Sequence, residues 1–138
     1  DPHGEAGVIA IFFQHYEAGT TPTVFGTGNQ TRDFIYVSDI VAAFVAAGNS
    51  QGSGQLLNVG TGVETSVNDL VAFMNRITRR TVEPIRAAAR AGELDRSVLD
   101  ISLARKTLSW TPYVGIEEGL GLTWEWFESV QRNAGAES

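Results

Sequence analysis

A chain of 138 residues, 43% of them apolar and 19% charged, has the length of one ordinary domain and a globular composition rather than a disordered one. Its net charge of −6 argues against nucleic-acid and membrane-surface partners, which select basic patches, yet leaves room for an anion held by a few placed arginines. The absence of cysteine excludes disulfides, thiolate chemistry and sulfur-built zinc sites, and suits a cytoplasmic protein. No run approaches the roughly 20 apolar residues of a membrane span. The opening Asp1-Pro2-His3-Gly4 has neither an initiator methionine nor the pattern of a signal peptide.

In chain order, Ala6 to Ala18 places Val8, Ile11, Phe12 and Tyr16 at helical spacing, with Gly19 as the residue that ends the helix. Thr23-Val24-Phe25 is a short strand running into the turn Gly26-Thr27-Gly28-Asn29. Asp33 to Val37, β-branched and aromatic, is predicted as a strand. Ser38 or Asp39 then caps a small apolar helix over Ile40 to Ala47. Gln51-Gly52-Ser53-Gly54 is a loop, and Leu56 to Val59 a buried strand leading into Gly60-Thr61-Gly62. Ser66, with Asp69 three residues on, opens a helix to about Thr78. Thr81 to Arg86 is a weak strand, and Ala87 to Arg96 reads equally as irregular or helical. Helices over Ile101 to Leu108 and Ile116 to about Arg132 complete the pattern, with Asn133 to Ser138 as a frayed tail after a folded body of residues 1–132. Alternation of helix and strand without a linker or repeat gives an α/β or α+β class.

One stretch carries candidate binding chemistry. In Phe25 to Ile40, two glycines permit a tight turn and close approach of backbone to a ligand. Arg32 stands where that turn meets a strand, and a guanidinium so mounted suits phosphate oxygens; an exposed Arg32–Asp33 pair in a hairpin loop accounts for the same residues. Arg90-Ala91-Gly92-Glu93, on its residues alone, reads as a solvated basic–acidic loop. Asn58-Val59-Gly60-Thr61-Gly62 imitates a phosphate loop but lacks the Gly-x-Gly-x-x-Gly spacing. His3 and His15 have no nucleophile or carboxylate at a telling spacing and read as surface or packing residues. Trp110, Trp124, Trp126 and Phe127 read as core and partner-facing packing.

The segment Gly26-Thr27-Gly28 through Arg32-Asp33-Phe34-Ile35-Tyr36-Val37-Ser38-Asp39 resembles the Gly-x-Gly-x-x-x-Arg-Asp signature of extended short-chain dehydrogenases/reductases. That family includes the NAD-dependent sugar-nucleotide epimerases and dehydratases. The resemblance extends through Asn58 to Gly62, through Arg90 to Glu93, and through Ala104 to Pro112, in the family's order. It implies that Arg32 contacts the pyrophosphate of a UDP-sugar, that Phe25 lies by the base, and that Arg90 is a second phosphate clamp. Glu93 takes the place of an aspartate that contacts the ribose. Asp39 is structural, and the Asn58–Gly62 strand end pairs with the sheet of the NAD domain. Ser109 stands where glycine is usual, a departure expected to matter little. The opening of the chain is similar to the stretch after Asn-Val-Tyr-Gly-Pro-Arg-Gln in bacterial UDP-glucose 4-epimerases, which makes Gly7 and Val8 backbone contacts of the nucleotide.

The implied fold is the substrate-binding C-terminal portion of such an enzyme, with a small sheet and several helices and without most of the Rossmann sheet. The family's Gly-x-x-Gly-x-x-Gly and Tyr-x-x-x-Lys motifs are not in these 138 residues: Thr20, Ile40 and Glu117 follow the three tyrosines at that spacing, and Lys106 is the single lysine. The expectation is a fragment without catalytic residues, inactive and binding no NAD by itself, whose full-length parent uses NAD. Its expected partners are a UDP-sugar and either an N-terminal NAD-binding half or a second copy across exposed apolar surface.

Overall fold

The computed structural model describes residues 7–50 and 54–136. Its elements are α1 (Val8–Ala18), β1 (Thr23–Phe25), β2 (Thr31–Arg32), α2 (Val37–Gly48), β3 (Thr65–Ser66), α3 (Val67–Thr78), β4 (Ile85–Ala87), α4 (Ser102–Leu108) and α5 (Ile116–Ala136). The expected α/β class with a small sheet is what the chain forms: β1 pairs with β4 in parallel and β2 with β3 antiparallel. Ala6, His3 and the predicted loop at 51–53 lie outside the described residues. The chain divides into two compact units.

The first unit comprises Val67–Glu93 with the described parts of Asp1–Asn29 and Leu120–Ser138. Its core is an aromatic face of α1 set on α3: Phe12, Phe13 and Tyr16 are buried, as are Val67, Leu70, Val71 and Met74. Each such side chain contributes about 1.5–3 kcal/mol by leaving water. Phe13 also meets Trp124 and Phe127 of α5, with ring centres 5.3 and 5.8 Å away. The Tyr16 hydroxyl donates to Asn75 Oδ1 at 2.6 Å, and burial pushes its pKa up to about 12. Gly19 ends α1 at φ 71, as the sequence requires. The predicted strand at Thr81 to Arg86 starts later, at Ile85, because buried Pro84 has no N–H to give a ladder; the first bond is Ile85 N–H to Pro22 O at 2.9 Å. α5 runs on through Ala136, so Asn133 to Ala136, expected to fray, are helical.

The second unit comprises Gln30–Ser66 and Leu94–Gly119. Here Ala43, Ile101, Ala104 and Trp110 form a buried cluster, with Ile35, Leu57, Val59 and Leu108 packed on it. The expected strand over Asp33 to Val37 is not formed: β2 ends at Arg32, and α2 begins at Val37, three residues before Ile40. Neither Ser38 nor Asp39 caps α2. Tyr36 holds the N-cap position without a side-chain bond, and Asp39 is buried elsewhere. Leu56 to Val59 alternates like a strand, Leu56 being 92% exposed while Leu57 and Val59 face the core, yet no strand among the described residues pairs with it. Side-chain alternation alone therefore identifies the segment, without the ladder that would make it a strand. Ser109 adopts φ 50 at the end of α4, so the departure from glycine places a side chain in the left-handed region.

Candidate functional site

In the first unit the turn after β1 is built on two glycines at φ 71 and φ 78, Gly26 and Gly28. Their missing side chains make room for the protein's own groups. A Cβ on Gly28 would stand 2.2 Å from Asn68 Oδ1, and one on Gly26 would stand 3.3 Å from Ala89 Cβ. Asn68, at the start of α3, grips the turn with its side-chain Nδ2 and its backbone N–H. Its Nδ2 donates to Thr27 O at 3.1 Å and Asn29 Oδ1 at 3.0 Å, and its backbone N–H donates to Gly28 O at 2.9 Å. Arg86 on β4 completes the set, Nη1 donating to Asn68 Oδ1 at 2.9 Å.

Phe25 and Arg90 are brought together: the guanidinium lies 3.8 Å from the centre of the Phe25 ring. At an exposed position such a pair contributes on the order of 0.5–1 kcal/mol. It also fixes the plane of the guanidinium, so Arg90 is not a freely solvated loop residue. The undecided stretch after Ala87 is irregular, and Gly92 at φ 76 lets the chain turn so that Glu93 N–H reaches Arg90 O at 3.4 Å. Arg90 and Glu93 thus share one exposed turn. Gly7 is the N-cap of α1, extended and without a side-chain cap, and Val8 is the first helical residue.

In the second unit, Arg32 is half-buried on β2, and its Nη1 donates to Thr31 O at 2.6 Å and Leu94 O at 2.7 Å. Its neighbour Asp33 has other work. The Asp33 carboxylate accepts from Thr61 N–H and hydroxyl at 2.8 and 2.5 Å, from Gly62 N–H at 2.8 Å and from Leu99 N–H at 3.3 Å. The glycine loop at 60–62 therefore spends the N–H groups of Thr61 and Gly62 on Asp33, as a structural element does. Gly60 admits no side chain there, since a Cβ would stand 2.8 Å from Asp33 Oδ2. Asp39 is likewise structural: it is 4% exposed, and its two oxygens accept the N–H groups of Tyr113 and Val114, each at 2.9 Å.

Sequence reasoning missed Asn68, Arg86 and one further pair. Arg96 grips Glu64 with two bonds, 2.7 and 2.6 Å, and the Thr31 hydroxyl donates to the same carboxylate at 2.7 Å. Arg96 first and Thr31 second hold the Glu64 carboxyl down at about 2. Nothing in the spacing of residues 64 and 96 announces the pair. A cavity of about 450 Å³ in this unit, between Phe34, Thr61, Arg105 and Tyr113, contains none of the six residues the sequence nominated. Among the described residues no helix is long and apolar enough to cross a membrane, and no group of three acidic or histidine side chains could hold a metal.

Residues 4–123 match the family described as GDP-mannose 4,6 dehydratase. The chain belongs to that family. It is 47% identical over 129 residues to a UDP-glucose 4-epimerase of Mycolicibacterium smegmatis, a match covering 94% of this chain and 41% of the relative. Among solved structures it is similar to the UDP-glucose 4-epimerase of Thermotoga maritima crystallised with UDP-glucose, at 40% identity and TM-score 0.88, covering 95% of this chain and 42% of that one. It is also similar to a Bacillus cereus UDP-glucuronic acid 4-epimerase variant solved with NAD and a fluorinated UDP-glucuronic acid, at 25% identity and TM-score 0.84, covering 90% and 40%. The chain thus spans about two fifths of the relatives it matches, corresponding to their C-terminal part.

Proposed function

We propose that this chain holds the nucleotide of a UDP-sugar within an NAD-dependent sugar-nucleotide 4-epimerase, and that the chemistry at the sugar belongs to a part of the enzyme outside these residues. The observation that carries the reading is the Arg90–Phe25 pair, an oriented cation on an aromatic ring in the Arg-x-Gly-Glu turn. Arg90 takes a phosphate, Phe25 lies by the uracil, and Glu93 meets the ribose hydroxyls. The N-terminal turn of α1 at Gly7 and Val8 offers backbone N–H groups in the same unit, and Arg32, its plane fixed by two carbonyls, is by itself a pyrophosphate contact of the second unit. Likeness to a UDP-glucose-bound epimerase at 40% identity supports uridine over the guanosine of the family's description.

NAD does not fit these residues: they contain no Gly-x-x-Gly-x-x-Gly turn, so the hydride acceptor belongs to a dinucleotide-binding half and no step is routed through it here. The exposed stripe Val37, Val41, Phe44 and Val45 on α2 is the surface this half would cover. Binding energy from the remote nucleotide then positions the sugar without gripping it, as a turning 4-keto intermediate requires.

The test is a calorimetric titration of the chain with UDP and with GDP, repeated on Arg32→Ala and Arg90→Ala. Saturable UDP binding, weakened about tenfold or more by either change, is the expected result. Equal binding of GDP, or indifference to both substitutions, removes the proposal. Grafting the chain in place of its counterpart in the M. smegmatis epimerase and assaying UDP-glucose against UDP-galactose then tests the reaction; a fold-competent graft that turns over no UDP-hexose excludes 4-epimerisation.

A further inference from the structure

Asn68 and Arg86 lie next to the proposed base contact, yet neither belongs to the motifs that suggested it. We infer that they are positioning residues for nucleotide recognition: Arg86 and Asn68 set the turn at 26–29 and, through it, the place of the Phe25 ring. This rests on the proposed UDP site. The ladder aligns Phe25 with Ala87 and Val24 with Arg86, so Arg86 is one step from the strand pair that carries Phe25. Gly26 N–H extends the ladder to Ala87 O at 2.9 Å. Beyond that bond the turn has no strand partner and is held by Asn68 and Arg86.

The two act together, and Arg86 Nη1 also reaches the turn directly, donating to Thr27 O at 3.4 Å. The Arg86 guanidinium donates to Asn68 Oδ1, which aligns the amide so that Nδ2 faces Thr27 O and Asn29 Oδ1. With Arg86 gone, Oδ1 loses its donor and the amide is held on the turn through Nδ2 alone, so its alignment with Thr27 O and Asn29 Oδ1 slackens. Gly28 packs directly against both side chains, so the turn moves when they do. Arg86 itself is exposed, and truncating it removes no core contact.

The experiment compares Arg86→Met, Arg86→Lys and Asn68→Ala with the unaltered chain, each titrated with UDP and separately with inorganic pyrophosphate. A role in placing Phe25 lowers affinity for UDP about tenfold in Arg86→Met and Asn68→Ala, leaves pyrophosphate within twofold, and is largely restored by Arg86→Lys, which keeps a donor for Asn68. Loss of fold, or direct contact of Arg86 with phosphate, weakens both ligands together and overturns the inference, as does an unchanged UDP affinity. If the unaltered chain binds pyrophosphate but shows no preference for UDP, the proposed base contact fails first, and this inference with it.

Discussion

Replacing Asp39 with Asn changes one atom and tests whether the last residue of the Arg-Asp…Asp signature serves structure or ligand. The carboxylate is 4% exposed and accepts two backbone N–H groups, those of Tyr113 and Val114, at 2.9 Å each. Asn keeps one acceptor oxygen and turns a donor NH2 toward the second N–H. A hydrogen bond to a charged acceptor contributes about 1.5–3 kcal/mol, and a desolvated N–H left facing a donor costs a similar amount. Because Tyr113 is itself exposed, water relieves part of that cost, and about 2–3 kcal/mol is the expected loss. Amide exchange at Val114 and the indole N–H of Trp110, which donates to Asp39 O at 3.1 Å, report this unit directly. Exchange of the Val114 amide should quicken about 30- to 150-fold if it proceeds by opening of this unit. Affinity for UDP, corrected for the folded fraction, should not change. A loss under about 0.5 kcal/mol, or weakened binding with stability intact, would refute the structural assignment.

Further outcomes follow from the same contacts. Tyr16→Phe removes a buried hydroxyl but leaves Asn75 Oδ1 its bond from Val82 N–H at 3.0 Å, so urea unfolding should show a cost of about 1 kcal/mol; Asn75→Ala strands Val82 N–H and leaves the Tyr16 hydroxyl only the longer bond to Val71 O at 3.4 Å, and should cost about 2 kcal/mol. Ser109→Gly relieves a left-handed φ of 50 and should raise stability by about 0.5 kcal/mol in the same assay, the strain relief slightly exceeding the entropy that glycine adds to the unfolded chain. The Glu64 carboxyl is held near 2 in the folded chain against 4.5 ordinarily, so its contribution is complete above pH 4.5 and lost as pH falls from there toward 2. Glu64→Gln should flatten the stability profile in that window, and an unchanged profile excludes the pair as its cause. Phe44→Glu, placed amid the exposed α2 stripe, should lower the mass measured by light scattering if isolated chains associate there; the unaltered chain running as a monomer at high concentration would show that this stripe tolerates water.

What the sequence disclosed follows from where each signal resides. Helices with an uninterrupted apolar face, α1 and α3, lie close to where periodicity put them, since their cores are made within one unit by neighbours such as Phe13 and Leu70. Strands were less legible. Asp33 to Val37 has strand-forming side chains, but the Asp33 carboxylate turns to the N–H groups at 61 and 62, and the chain becomes helical at Val37. Long-range hydrogen bonds of this kind leave no trace in local propensity. The same holds for Glu64 with Arg96 and Asn68 with Arg86, where ordinary polar residues gain meaning only from partners 32 and 18 positions away.

The arginines separate by the company they keep, and this bears on which can serve an anion. Arg96 gives both arms of its fork to a carboxylate, so its charge is already matched and a phosphate would have to displace Glu64. Arg90 instead rests its flat face on Phe25, an interaction that leaves the charge largely uncompensated and uses none of the N–H groups at the guanidinium's edge. A phosphate approaches in that plane, so stacking and phosphate binding are compatible in one geometry. The ring thereby pre-orients the cation at little cost to its binding capacity, which is why Phe25 and Arg90 function better as a pair than as separate contacts. It follows that Phe25→Leu, which removes a stacking interaction of only about 0.5 kcal/mol from Arg90, should weaken pyrophosphate by no more than about twofold and UDP by about tenfold, the same split between ligands that loss of Arg86 gives.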